Sequence, residues 1–272
     1  MVTVAHASYY VRPVDVLSGT PRAHAVDRWI YVFMAILLVV VTLGGFIPDS
    51  LNKMALVRSG ARPPFPAVMH VHAVLMASFM VLLLTQTMFA ATGRIAFHMR
   101  LGIASIVLVP ALVIVGFVLA DKMYLEAYDA WQSAGPDQRG KLGAILARKE
   151  NILLVQIRMG LLFPLFLAIG LWARASDAGL HKRMMILGTA VVMAPAINRM
   201  EWLPSTQPVS MIATDLYMAA LVSPMLLWDI ARNHTVHRAY WIWAAVTLPA
   251  AVGLHMLWDT SWWHSTARQL LV

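Results

Sequence analysis

The side chains able to do chemistry in this chain are histidines, arginines and a few carboxylates, because it has ten histidines and no cysteine. The lack of cysteine excludes disulfides, thiolate metal sites, iron–sulfur ligation and thiol nucleophiles. Imidazole is then the strongest ligand on offer. The segment RPPFPAVMHVHAVLM places His70 and His72 at the mouth of a long apolar run. Two residues apart on a helix, they point to nearly opposite sides, so one of them turns inward, and His72 is the deeper. GRIAFHMRLG and DAGLHKRMMILG echo one another, and each sets a His-x-Arg just before an apolar run, at His98 and His181. His255 and Asp259 stand four apart, on one helical face. A carboxylate so placed can hold an imidazole in one tautomer. Paired histidines are the axial-ligand chemistry of haem iron. Three His or carboxylate ligands with an open position are the chemistry of catalytic zinc or iron.

The elements that carry these residues read as membrane helices. Hydrophobic residues make up 60% and charged ones 12%, against about 25% charged in a soluble domain, so the outside of the protein is apolar too. The 272 residues suit one bundle of spans of roughly 20 residues each. Seven apolar segments are found, roughly 29–47, 67–91, 101–119, 152–172, 183–198, 211–231 and 240–258. All are expected to be helical, since backbone groups in lipid must bond within their own segment. Pro195 predicts that the fifth is bent or ends early. The expected fold is therefore an all-α, seven-span integral membrane bundle. Its single domain covers 29–258, after a cytoplasmic segment 1–28 and before an external tail 259–272. The first 28 residues lack the basic, apolar and small-residue regions of a signal peptide.

Arg12, Arg22, Arg28, Arg94, Arg100, Arg174, Lys182, Arg183, Arg232 and Arg238 fall in the loops of one side, Lys53, Arg58 and Arg62 on the other. The first side is placed in the cytoplasm, which puts the N-terminus inside and the C-terminus outside. The net charge of +8 is read as this loop bias and not as a nucleic-acid surface. The external connector 121–151 holds two stretches of helical composition split by Gly135-Pro136. These either extend the third and fourth helices or lie on the membrane surface. Tryptophans near both faces, such as Trp172, Trp241, Trp202 and Trp262, form aromatic belts.

Ionisable residues inside the membrane are costly and usually face the bundle interior. At the outer side they are His70, His72, Arg158, Arg199, Glu201, Asp215, His255, Asp259 and His264. Arg158 lies roughly 9 Å into its helix at about 1.5 Å per residue. It needs a carboxylate, for which Glu201 and Asp215 are at hand, or an anionic ligand. The inner group is His98 with Arg94 and Arg100, His181 with Lys182 and Arg183, and His234 with His237. The methionines Met211, Met218 and Met225 recur on one face, as adaptable packing does. Phosphate-binding glycine loops, zinc-protease and serine-hydrolase motifs are missing, as is a retinal lysine in the seventh helix.

The pattern Gln86-x7-Arg94-x3-His98-x-Arg100-x-Gly102 resembles a bacterial family of multi-span membrane proteins of unknown function. In that family a His-led helix ends in Gln and leads into a His-Arg loop. Here His72, Gln86, Arg94, His98, Gly102, His181, Arg183 and Arg199 occupy those places, over about 68–204. Met99 stands where the family more often has Arg. More loosely, the chain resembles the cytochrome b561 and ferric-reductase group, which holds b-type haems between paired histidines near each face. That resemblance implies an inner pair, His98 with His181, and an outer pair, His72 with His255. The fourth helix has no histidine near Val155 or Gln156, where that group would carry one.

Three readings follow. One is a protein of the bacterial inner membrane that binds haem b and carries electrons, with Arg94 and Arg100 on the propionates and a quinone or redox protein as partner. The second is a transporter or binding protein for a small anion or lipid centred on Arg158 and Arg199, with Glu201, Asp215 and Gln86 nearby. The third is a metalloenzyme holding zinc or iron with His70, His72, His255 and Asp259.

Overall fold

A computed structural model describes residues 25–271; Arg12, Arg22 and the rest of 1–24 lie outside them, while 25–28 of the expected N-terminal segment belong to the first helix. Among the described residues there are ten helices and no strand. They are α1 (Ala25–Arg58), α2 (Ala67–Ala91), α3 (Ile95–Gly102), α4 (Ala104–Gln132), α5 (Pro136–Ala173), α6 (Ala178–Val191), α7 (Ala194–Ile197), α8 (Ile212–Asn233), α9 (Arg238–Leu257) and α10 (Ser261–Leu271). Five stretches are long and apolar enough to cross a membrane: Val26–Arg58, Ala67–Ala91, Ile95–Gln132, Pro136–Ala173 and Arg238–Leu257. The protein is thus a helical bundle with the makings of a membrane protein. Its exposed residues include Val74, Val81, Ile103, Val107, Ile114 and Val252, an apolar coat that water would not tolerate in bulk.

The connector takes the first of its two expected forms. Its halves continue α4 and α5, and the chain turns between them at Ser133–Gly135. At 38 residues α5 is about 57 Å long, well over a hydrocarbon core of about 30 Å. The expected fifth span differs more. Its chain makes the 14-residue α6, a turn, and then the four-residue α7 with Pro195 in its first turn. Proline has no N–H to continue the ladder, which is why the helix stops there. α6 is the most enclosed helix, packed on α1, α5, α8 and α9, so it has little lipid-facing surface to make apolar. α8 is long enough to span, but it carries Asp215 near one end and Asp229 near the other. The C-terminal tail is not a tail: 261–271 form α10, which docks on α5 and α4 with Trp263 and Ala267 buried.

Close helix approach rests on glycine, as in other membrane bundles. A Cβ on Gly45 in α1 would lie 2.1 Å from the carbonyl oxygen of Ala196 in α7. We expect Gly45→Ala to push these two elements apart, at about 1–3 kcal/mol for an overpacked site. Gly253→Ala on α9, where nothing lies within 4 Å, should leave the melting temperature in detergent unchanged or raised. Equal melting temperatures for the two variants would refute the α1–α7 contact.

Candidate functional site

The two histidines of the internal echo come together at one end of the bundle. His98 in α3 and His181 in α6 have ring centroids 6.1 Å apart, with their planes at 81°. Each ring is held in the same way. His98 Nδ1 lies 3.2 Å from the carbonyl oxygen of Gln86, twelve residues back on α2. His181 Nδ1 lies 2.8 Å from that of Gly170, eleven residues back on α5. The sequence echo is therefore a structural one: two hairpins, α2–α3 and α5–α6, make the same histidine-to-carbonyl bond. A carbonyl only accepts, so each Nδ1 donates a proton. In the neutral imidazole each Nε2 then keeps its lone pair. Neither Nε2 has a hydrogen-bond partner among the described residues.

Beside them is an unsatisfied amide. Both the oxygen and the nitrogen of the Gln86 side chain are buried with no hydrogen-bond partner. Leaving such a group unpaired costs roughly 1–3 kcal/mol. Gly102, one helical turn beyond His98, faces this amide: a Cβ there would lie 3.8 Å from Gln86 Nε2. Arg94 caps α3 and Arg100 lies in its last turn; both are exposed.

The same end carries buried ion pairs. Arg183 and Asp229 are fully buried and joined twice, Nε to Oδ2 at 2.5 Å and Nη2 to Oδ1 at 2.6 Å. Arg183 also donates to the carbonyl of Gly179, and Asn233 to Asp229. Asp27, fully buried, accepts from Arg232 at 2.9 and 3.0 Å and from Trp228 Nε1 at 3.1 Å. Arg183 and Arg232 are thus not free loop charges, as their place in the sequence suggested. The loop bias hid them because their partners, Asp27 and Asp229, lie at the ends of apolar runs.

Asp177 caps α6. Its carboxylate accepts from the Leu180 N–H at 2.8 Å and from Arg238. Partial burial raises its pKa, but those two donors outweigh it and hold the carboxyl below its ordinary 3.8. A depressed folded value means that the stabilisation is complete above the ordinary carboxylate range and lost as pH falls through the folded value. We expect Asp177→Ala to cost about 1 kcal/mol at neutral pH, the worth of a cap. Its melting temperature should converge on that of the wild type below the ordinary aspartate range. A gap independent of pH would refute this role.

At the other end, Arg158 (α5) makes a bidentate pair with Asp215 (α8), at 2.7 and 3.2 Å. His255 (α9) joins through Nε2, 2.9 Å from Asp215 Oδ2. Of the two expected partners for Arg158, Asp215 is the one; Glu201 is exposed. Arg199 pairs with Asp49, a residue the sequence reading passed over, at 3.1 Å. The expected pairing of His255 with Asp259 does not form. The helix ends at Leu257 and Asp259 takes a left-handed backbone, φ 59°, so the four-residue spacing no longer sets one face. Asp259 instead contacts Asn151 and His264. His264 is also 2.6 Å from the fully buried Glu150, which Arg268 holds at 2.8 Å. Glu150, Asn151 and Arg268 were missed because the first two were read as connector and the third as tail.

The outer pair His72 and His255 is not assembled. α2 packs on α1, α3 and α4, whereas α9 packs on α5 and α6. His72 lies against Gly116 of α4, and its buried Nδ1 has no partner. His70 is exposed, edge-on to Phe65. The expected metal set of His70, His72, His255 and Asp259 is likewise scattered. Among the described residues, no group of three or more His, Asp or Glu stands ready for a metal ion.

No family model, curated protein or solved structure matches this chain. Its function has to be read from the His98–His181 site itself.

Proposed function

We propose that this chain is a seven-span protein of the bacterial inner membrane that holds one b-type haem between His98 and His181 and carries electrons at that face. The observation that carries the reading is the matched pair of imidazoles, each fixed at Nδ1 by a carbonyl and each with Nε2 free. The chemistry of the donor set fits haem. The two rings lie close enough, 6.1 Å between centroids, that both could hold one group. A bare zinc needs three or four protein ligands; a haem asks only for axial ones. The orphaned amide of Gln86 supports a polar group of a ligand beside His98.

Haem, when bound, supplies a one-electron ferric–ferrous couple. The chain supplies the rest. Nε2 of His98 and of His181 would hold the haem iron. The Gln86 and Gly170 carbonyls fix their tautomers and raise their basicity, as outer partners of metal-bound histidines do. Arg94 and Arg100, on the rim, can pair with propionates. A quinone or a redox protein meets the site at the same face.

The seven-span arrangement draws support from the ion pairs, and the N-in orientation from the loop charges. Four pairs between residues far apart in the sequence join groups which that topology puts on the same side: Asp27 with Arg232 and Arg183 with Asp229 inside, Asp49 with Arg199 and Arg158 with Asp215 outside. Under this arrangement α6 and α7 together form the fifth crossing, and α8 the sixth. The anion reading at Arg158 is weaker, since Asp215 already neutralises that guanidinium. Haem stoichiometry by the pyridine haemochrome assay tests the proposal. One haem per chain is expected, and none would refute the site.

A further inference from the structure

At the end of the bundle opposite the histidine pair, one imidazole stands between two carboxylates. His264 of α10 has its Nδ1 2.6 Å from Glu150 Oε2 and its Nε2 3.1 Å from Asp259 Oδ1. An ionised carboxylate only accepts hydrogen bonds. A neutral imidazole has one N–H, so it turns a lone pair on one of these two oxygens; the imidazolium donates to both. The charges point the same way. Arg268 holds the other oxygen of Glu150 at 2.8 Å. Two carboxylates thus face one guanidinium and one imidazole, and the cluster is neutral only when His264 carries both protons.

The cluster fastens α10 to the bundle. The Glu150 side chain, on α5, is fully buried, His264 is 19% exposed and Asp259 is 71% exposed, so water reaches the imidazole from the Asp259 side. Asp259, in the link before α10, is itself fixed to α5. Its N–H donates to Asn151 Oδ1 at 2.9 Å, and Asn151 Nδ2 donates to its carboxylate at 3.2 Å. Besides this cluster α10 is held by the buried Trp263 and Ala267, with Trp263 Nε1 donating to the Glu150 carbonyl at 2.8 Å. The other charged groups around α10 are permanent cations or phenols. Arg139 of α5 and Arg268 lie over the Trp131 ring at 5.2 and 5.3 Å. Lys149, next to Glu150, lines a small gap with Tyr124 of α4. α4 brings Tyr124 and Tyr128, which stack on one another, and phenols do not ionise near neutral pH.

We propose that His264 is a proton-operated clasp: its imidazolium, bonded to Glu150 and Asp259, locks α10 onto α5, and loss of one proton frees α10. The stabilisation belongs to the protonated form, so it is present in mildly acidic solution and lost as pH rises past the imidazole range, about 6.5 for histidine in general. The inference does not rest on the haem reading.

The test is hydrogen exchange of the α10 amides in the full chain in mild detergent, with wild type and variants compared at the same pH so that the intrinsic exchange rate cancels. Asp259→Asn is the informative variant. Asparagine suits the left-handed backbone at this position, and its amide donates to the lone pair of a neutral imidazole, so α10 should stay docked at any pH. On the mildly acidic side wild type and Asp259→Asn should exchange alike; on the alkaline side α10 of the wild type should exchange at least tenfold faster. His264→Gln cannot donate to both carboxylates, and its α10 should exchange fast throughout. Peptides of α6 should be unchanged in every case. Equal exchange of wild type and Asp259→Asn across the whole range would overturn the proposal. So would a pH-dependent gap that persists when both carry His264→Gln, or loosening of α6 together with α10.

Discussion

Alanine in place of His181 is expected to remove haem from the purified protein, with at least a tenfold fall in haem per chain, and alanine at His98 should do the same. The two imidazoles are equivalent in the structure. Each is tethered at Nδ1 and presents Nε2, and loss of either leaves a single axial donor. The effect should be specific to ligation. His181 is only partly buried, so its truncation removes little packing, and the melting temperature of each variant should stay close to that of wild type expressed without haem. Gln86→Leu provides an intermediate case. It keeps the carbonyl that orients His98 and removes the orphaned amide, so haem should remain while its affinity or midpoint potential shifts. Haem retained at wild-type level in both histidine variants would exclude this pair as the ligands.

Asp229→Ala is expected to be the most damaging single change to the fold, at about 3–5 kcal/mol, the cost of stranding one member of a buried ion pair. Both partners are fully buried, and the carboxylate accepts two hydrogen bonds from Arg183 and one from Asn233. Removing it leaves the Arg183 guanidinium unpaired in an apolar interior, on α6, the helix that also carries His181. Replacing both partners by apolar residues of similar volume, Arg183→Met with Asp229→Leu, should recover most of the loss, since the pair as a whole is close to neutral in free energy. Thermal unfolding in detergent measures both. The exposed Lys122–Glu126 pair is the reference: breaking it should change little, because solvent-exposed pairs contribute little. A double variant as unstable as Asp229→Ala would mean that the ion pair has a role beyond its own compensation.

The helical bundle was legible from apolar run length, because lipid imposes helices on any chain that enters it. So was the meeting of His98 and His181, since both open helices at the same depth and the sequence repeats itself around them. What could not be read was the outcome of competition among polar groups. Arg158 had two candidate carboxylates, and only the packing of α8 on the bundle picks Asp215. Asp259 seemed tied to His255 by helical spacing, but the helix ends before it. Arg183 and Arg232 counted as loop charges, because a sequence does not reveal that Asp229 and Asp27 come to meet them. Glu150 and Lys149 lay in what read as a connector. Helix composition there was visible, but its docking against α10 depends on contacts more than a hundred residues apart. α6 stands out least in hydropathy for a similar reason: other helices enclose it.

The measurement that bears most directly on this account is the absorption spectrum of the full chain, purified in mild detergent from haem-replete cells, oxidised and then reduced with dithionite. Two axial histidines predict a Soret band that shifts on reduction and sharp alpha and beta bands in the reduced state, all lost together in His98→Ala and His181→Ala. A folded protein with no absorption beyond the tryptophan band would contradict the assignment of this site to haem.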